Sequence, residues 1–392
     1  MILKGLRILD FTRVLAGPYA SMLLADFGAE VIKVQSRKTA TGVELNSTGY
    51  FNTWNRNKKS ITLNMDYQEA RNIALKLTAI SDVVIENFSS RVMMNWGLEF
   101  KDLKKVKPDL IMLSMSGMGR DGPYENYVAY GPTVQSLGGI TYLTSYNKNN
   151  PMGLGYSYAD HIAGLYGVLA ILSALEFRDK TGEGQHIDLS EFEAVTTLIG
   201  PRIVYESAND NITDHNINDT QNFHSAPYGI YRCMGNDRWC VIAIYNDEEW
   251  RSLCSIMNKP DLIKNKKFSS FTMREKHKIE LDDIIEKWTS DRSAEEIVES
   301  LQEGGVSAGI VQNAEDISRD PHLHSRDFFI HLEHPVLGDT ISIKTPIRFK
   351  SDPAEYWTSA PLLGEDNRYV FMELLGYTES QIKSYIEKGI ID

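Results

Sequence analysis

The sequence predicts an α/β protein of two domains, the larger built on a parallel sheet, and three observations carry that expectation. Its N-terminal third repeats one unit: an apolar run of about five residues, a turn, an amphipathic helical stretch, then another apolar run. Its 392 residues exceed one simple core and match about two ordinary domains. From Tyr228 onward the pattern changes to alternation around Gly235-Asn236-Asp237, the signature of a β-hairpin.

Taken in order, the apolar runs at 7–11, 31–34, 61–64, 83–87 and 110–114 read as strands, with helices at 19–27 and 68–78 between them. Open α/β sheets bind ligands at the carboxyl ends of their strands, so segments 12–18, 35–38, 87–91 and 116–123 are expected to face one crevice. A long helix is expected over 160–178, where Ile162, Leu165, Tyr166, Leu169, Leu172 and Leu175 fall on helical spacing. The glycine-bearing stretch 179–184 ends it. A strand at 185–190 and a helix at 191–199 follow, and the Asn- and Asp-rich stretch 207–222 marks a boundary. Later, 336–349 alternates like strands and the tail 367–388 reads as one helix.

Composition excludes several classes. Hydrophobic residues at 42% and charged residues at 24% are globular values, and no run approaches the roughly 18 unbroken apolar residues of a membrane span. The start MILKGLRILDF lacks the basic and apolar regions of a secretory signal, so a soluble, cytoplasmic protein is expected. Three cysteines, Cys233, Cys240 and Cys254, lack CxxC spacing and a nearby histidine pair, which suggests neither a disulfide framework nor a metal site. A net charge of −12 argues against a nucleic-acid partner.

The first turn, Thr12-Arg13-Val14-Leu15-Ala16-Gly17-Pro18, joins a strand to a helix, and such amides can bind an anion. With Arg13, Arg37 and Lys38 beside it, the turn reads either as a phosphate site or as a tight βα turn with solvated charges. NAD is not expected, because GxGxxG is missing and the second strand ends in Gln35 rather than an acid. GxxxxGK[ST] and GxSxG are missing too, which removes the common nucleotide hydrolases and serine hydrolases.

Six ordered segments then carry a resemblance. LKGLRILDFTRVLAGPYASMLLADFGAEVIKVQ at 3–35, NRNKKSITLNM at 55–65, DVVIENF at 82–88 and GMGRDGPY at 117–124 resemble family III CoA-transferases, the CaiB/BaiF family. So do YADHIAGLYGVLAILSALEFRDKTGEGQHIDLS at 158–190 and APLLGEDN at 360–367, and the match spans nearly the whole chain. The resemblance implies a Rossmann-like large domain with a parallel sheet, a smaller central α+β domain and an interlocked homodimer. The expected division is 1–206 for the first part of the large domain, 207–227 for a linker, 228–330 for the small domain, and 331–392 returning to the large domain.

Asp160 is the catalytic carboxylate by this resemblance; without it, an Asp opening a helix reads as a cap. The CoA site carries over to Val14, Ala16, Leu63, Asn87 and Phe88, with Tyr130 beside the active site and Arg13 and Arg37 toward the phosphates. Ser89 and Asn95 stand where the family often has arginines, so Arg91 is the expected substitute. The implied activity moves CoA from an acyl-CoA to a small carboxylic acid through an aspartyl anhydride and thioester, with CoA as substrate and neither metal nor NAD. Where some members carry a glycine-rich loop, this chain has Asp219-Thr220-Gln221-Asn222-Phe223-His224, with His224 a candidate substrate contact.

Two rivals remain open. A 2-methylacyl-CoA racemase of the same fold needs a His and an Asp as two bases, but the chain reads Tyr130-Gly131 where that His-Asp pair would stand. His161 follows Asp160 directly, about 100° away around a helix. A non-catalytic CoA-binding protein would keep the crevice without needing Asp160.

Overall fold

The computed structural model describes residues 1–145, 150–208, 225–351 and 356–391, and in it the repeating N-terminal pattern forms a six-stranded, all-parallel sheet. Its strands are β1 (Arg7–Asp10), β2 (Glu30–Gln35), β3 (Lys58–Thr62), β4 (Val83–Glu86), β5 (Ile111–Ser116) and β6 (His186–Ser190). They lie in the order β3-β2-β1-β4-β5-β6, with Leu9 of β1 paired to Ile32 of β2 on one side and Val84 of β4 on the other. This is the order of doubly wound nucleotide-binding folds, whose direction of winding reverses between β1 and β4.

The helices of this part are α1 (Ala16–Asp26), α2 (Gly49–Asn55), α3 (Gln68–Ala79), α4 (Arg91–Trp96), α5 (Phe100–Val106), α6 (Gly131–Leu137), α7 (Ile140–Leu143), α8 (Tyr158–Thr181), α9 (Glu191–Thr196) and α10 (Gly200–Ala208). Strands buried on both faces need apolar residues on both. Leu9, Ile32, Ile61, Val84 and Met112 pack with Ile73 and Leu77 of α3, whereas Ile8, Val31, Val83, Ile111 and Leu113 pack with α1 and α8.

By length and composition α8 could cross a membrane. The expectation of no such segment rests on unbroken apolar runs, which Asp160, His161, Glu176 and Arg178 interrupt here. Its buried side lies on α1 and β5.

Strand ends differ from expectation for identifiable reasons. β1 ends at Asp10, although the Phe11 amide still donates to the Ile85 carbonyl of β4 at 2.9 Å; past Phe11 the Asp10 carboxylate accepts from the Thr12 amide and hydroxyl at 2.8 and 2.5 Å, turning the chain. β3 begins at Lys58 rather than 61, because that lysine is fully buried with its Nζ 3.2 Å from Asp10 Oδ2, 3.0 Å from the Pro18 carbonyl and 2.8 Å from Asn55 Oδ1. The tail is two pieces, a π-helical turn at Tyr369–Leu374 and a helix at Glu379–Glu387, separated at Gly376, whose φ of 72° ends the first.

The APLLGEDN segment latches the edge strand β3. Asp366 exchanges two hydrogen bonds with the Ser60 backbone (2.8 and 2.9 Å), Asn367 takes the Thr62 amide at 2.9 Å and donates to its hydroxyl at 2.9 Å, and the Asn64 amide reaches the Ile390 carbonyl at 2.9 Å.

The chain divides into a unit of Met1–His215 with Asp327–Asp392 and a unit of Asn216–Arg326. In the second, the expected hairpin forms from β7 (Tyr228–Arg232) and β8 (Trp239–Ala243) and gains a third strand, β9 (Ser307–Ile310), whose pairing is too distant in sequence for local pattern to reveal. Its core is built on Trp250, Phe268, Leu281 and Ile297, and Cys233, Cys240 and Cys254 are buried free thiols. The first unit also contains the hairpin of β10 (Phe329–His334) and β11 (Gly338–Ile343). Most of the expected linker, and the Asp219–His224 stretch with His224, lie outside the described residues.

Candidate active site

The carboxyl ends of β1 to β4 open onto a cleft of about 810 Å³, counted out to its mouth. Thr12 and Arg13 line it from the first turn, Gln35, Ser36 and Lys38 after β2, Leu63, Met65 and Asp66 after β3, and Phe88, Val92 and Trp96 after β4. This is the switch point at which such sheets bind ligands.

The first turn is held from three sides. Asn87 clamps Arg13, accepting its amide and donating to its carbonyl, both at 2.8 Å. The Arg13 guanidinium reaches the Thr39 carbonyl at 2.9 Å. Val14 sits at φ 65°, strained for a β-branched residue, and its amide donates to Glu44 Oε1 at 2.6 Å. Beneath the turn, Ser21 and Lys58 converge on Asp10, and Lys33 Nζ donates to the Thr12 carbonyl at 2.7 Å. Burial alone would push the Asp10 carboxyl up, but Lys58, Lys33 and the Ser21 and Thr12 hydroxyls hold it below the usual range. Burial brings Lys58 down to about 7, with Asp10 opposing. The NRNKK segment thus builds this floor: Arg56 pairs with buried Asp26 at 2.5 and 3.0 Å, and Asn57 joins it at 2.8 Å.

Asp160 lies on the other side of the turn, in the first turn of α8 and only 8% exposed. It does not close the helix end. Gln135 Oε1 accepts the Tyr158 and Ala159 amides at 2.6 and 3.3 Å, so capping falls to a residue of α6. Asp160 Oδ2 is buried without a hydrogen-bond partner, and a Cβ on Gly131 would collide with it. Burial raises its carboxyl to about 6, against the opposing pull of its own amide, the Ala16 amide and the Ser157 hydroxyl. Among the described residues no ion pair includes Asp160.

Around it stands an aromatic group. Tyr19, Trp54 and Tyr156 surround His161 at ring separations of 4.8, 5.1 and 4.8 Å. His161 Nδ1 lies 2.8 Å from the Ser157 carbonyl and must donate to it, leaving Nε2 to accept the Tyr156 hydroxyl at 2.7 Å. Burial lowers its pKa, which fits this neutral tautomer. The Tyr50 hydroxyl is pushed up to about 12 by burial and the charge of Asp160.

Of the residues expected at the site, Arg13, Leu63 and Phe88 line the cleft, Asn87 shapes the turn, and the Ala16 amide faces Asp160. Val14 is exposed on the turn, Arg37 lies exposed beside cleft residues Ser36 and Lys38, and Arg91 is exposed at the start of α4. Tyr130 is exposed at the N-terminus of α6, next to Gly131. Segment 116–123 does not line this cleft; Arg120 turns to Glu86 and the Ser90 carbonyl, each at 3.0 Å. Glu191 is a further acid that the sequence reading passes over. It opens α9 and is buried, and its carboxyl rises to about 8 through burial and the charge of Asp160. In sequence it reads as an ordinary acid in the first turn of a helix.

Comparison with known proteins follows the same lines. The model of CoA-transferase family III matches residues 3–367. A succinyl-CoA–D-citramalate CoA-transferase of Chloroflexus aurantiacus is 32% identical over 99% of this chain and 98% of its own length. A succinyl-CoA:glutarate CoA-transferase of Mus musculus is 31% identical over 100% of this chain and 90% of its own. A crystal structure of a CaiB/BaiF family protein from Brucella suis superposes with a TM-score of 0.84 at 30% identity, covering 95% of this chain and 99% of that one.

Proposed function

The chain belongs to CoA-transferase family III and is a CoA-transferase, and from that premise we propose that Asp160 carries the acyl group in transfer from a short dicarboxylyl-CoA such as succinyl-CoA to a small carboxylic acid. The carrying observation is the state of Asp160: buried, relieved of capping by Gln135, and with Oδ2 unpartnered.

A carboxylate suits this exchange because every step trades one activated acyl group for another. An Asp160 oxygen attacks the thioester carbonyl, the C–S bond breaks, and CoA thiolate leaves a mixed anhydride on Asp160. The thiolate attacks the aspartyl carbonyl, releasing the donor acid and leaving an aspartyl-CoA thioester. The acceptor carboxylate attacks that thioester, and the expelled thiolate takes the new acyl group, restoring Asp160. No proton is gained or lost overall. With its carboxyl at about 6, Asp160 is ionised at neutral pH while lacking the solvation and ion pairing that would blunt its attack. The cleft beside the first turn is assigned to CoA, with Phe88 and Leu63 as apolar walls and Arg13, Arg37 and Arg91 toward its phosphates.

The racemase reading is disfavoured by His161, whose two ring nitrogens are committed to Ser157 and Tyr156. The binding-protein reading leaves an unpartnered buried carboxylate oxygen without purpose. A homodimer is part of the proposal, supported by the apolar strip Leu165, Leu169 and Leu172 left exposed on α8, with Leu169 at 60%. Sedimentation as a monomer would count against it. The activity is tested by incubating the protein with succinyl-CoA and other acyl-CoAs, trapping with hydroxylamine, and mapping by mass spectrometry. A hydroxamate on Asp160, lost in Asp160→Ala, is expected; turnover by that variant would refute the assignment.

A further inference from the structure

The first turn carries strain that a buried acid from another segment offsets. Val14 holds φ 65°, a left-handed conformation that its β-branched side chain disfavours, so the turn keeps this shape only where its surroundings enforce it. The helix that follows gives no such support, because α1 begins after Leu15 without a side-chain cap. The support comes from Glu44, at the end of a short 3₁₀ turn (Gly42–Glu44), whose Oε1 accepts the Val14 amide at 2.6 Å.

Glu44 is itself fixed in place and is only 5% exposed. Just beyond it, Asn46 exchanges hydrogen bonds with the Gln35 side chain at 3.1 and 3.2 Å and donates to the Pro361 carbonyl at 2.7 Å. The bond from the Arg13 guanidinium to the Thr39 carbonyl ties the same segment to the turn a second time. Glu44 also lines the cleft assigned to CoA. A carboxylate there would repel the phosphates of that ligand, so contact with CoA does not account for its position.

What the turn holds lies just past Val14. The Ala16 amide faces Asp160. The Ala16 carbonyl rests against α8 one helical turn beyond Asp160, where a Cβ on Gly164 would stand 3.0 Å from it. Ala16 and Ala163 share one core, so the turn and the start of α8 are packed as a unit. A shift of the turn therefore moves an amide donor relative to the carboxylate it faces.

We infer that Glu44 is a positioning residue for the transfer: by accepting the Val14 amide it holds the first turn in its strained form and keeps the Ala16 amide on Asp160. This rests on the proposed role of Asp160. Glu44 acts through the backbone and not by touching substrate. A neutral acceptor of the same length should then serve in its place, and a turn relieved of strain should not need it.

The test uses the full chain with succinyl-CoA as probe and follows single-turnover labelling of Asp160 over a range of probe concentrations, with thermal melts to establish that each variant is folded. Glu44→Ala should lower the rate at saturating probe by about ten- to a hundredfold, whereas Glu44→Gln should stay within about threefold of the parent. In a Val14→Gly background, Glu44→Ala should cost less than about threefold, because glycine adopts the left-handed conformation unaided. Equal losses in both backgrounds, a Gln variant as slow as the Ala variant, or an effect confined to the half-saturating concentration overturns the inference. A second readout needs no chemistry: exchange of the Val14 amide hydrogen, followed by NMR on protein labelled with ¹⁵N-valine. It should be slow in the parent and in Glu44→Gln and about tenfold faster in Glu44→Ala; a fast-exchanging Val14 amide in the parent overturns the inference as well. If Asp160 is never labelled in the parent, the transferase reading fails on its own, and the exchange rates alone decide whether Glu44 holds the turn.

Discussion

Replacing Gly131 by alanine tests whether Asp160 works from a fixed position. The added Cβ would overlap Asp160 Oδ2 and stand 2.6 Å from Ser157 Oγ and 3.0 Å from Ser157 Cβ. Ordinary contact begins near 3.4 Å, so the carboxylate or the start of α6 must move by about 1 Å. Ser157 blocks retreat on one side, and the Gln135 bonds to the Tyr158 and Ala159 amides tie α6 to α8. A displacement of about 1 Å at a reacting group costs on the order of a hundredfold in rate, or about 2.7 kcal/mol. Overpacking would destabilise the fold by about 1–3 kcal/mol. The assay is single-turnover labelling of Asp160 by succinyl-CoA, with thermal melting to establish that the variant is folded. A folded Gly131→Ala protein that labels as fast as the parent would refute the argument that the missing side chain makes room for Asp160 as the proposed nucleophile.

Three other outcomes follow from the same geometry. Because the folded protein raises Asp160 from 3.8 to about 6, the native state binds its proton more tightly than the unfolded chain, and stability contributed by that proton is lost as pH rises through this interval. Asp160→Asn should therefore be more stable than the parent above pH 6, by up to about 3 kcal/mol, and the difference should vanish near pH 4 in melts at the two pH values; an equal gain at both would exclude the titration as its cause. Arg56→Ala leaves Asp26 buried without its partner and should cost about 3–5 kcal/mol in chemical denaturation, whereas a loss below about 1 kcal/mol would remove this pair from the supports of the first turn. Arg13→Ala should raise KM for succinyl-CoA by about ten- to a hundredfold with kcat less affected, and an unchanged KM would place the phosphates elsewhere.

How much of this is legible in the sequence depends on how local each signal is. The strands and crossovers of the parallel sheet announce themselves as apolar runs, and Asp160 is reached through the resemblance of its surrounding segment. Lys58 escapes notice as the start of β3 because a charged residue in a strand reads as surface, whereas here its partner lies 48 residues earlier at Asp10. Gln135 as the cap of α8, Glu44 as the brace of Val14 and Glu191 beside Asp160 each come from another element, and no spacing rule reports such meetings. The pattern of the segment 116–123 points to the cleft, but Arg120 finds Glu86 instead.

The latch of Asp366, Asn367 and Ile390 along β3 bears on the order in which the chain can be completed. A chain emerging from the ribosome presents all six strands of the sheet long before these residues, and the entire Asn216–Arg326 unit is synthesised in between. Throughout that interval β3 is an open edge, with backbone groups free to pair with another nascent chain. Premature stop codons after Arg326 would therefore produce proteins with the whole six-stranded sheet and Asp160 in place and a persistent tendency to aggregate, and slow elongation through the middle of the gene would lengthen the same exposure.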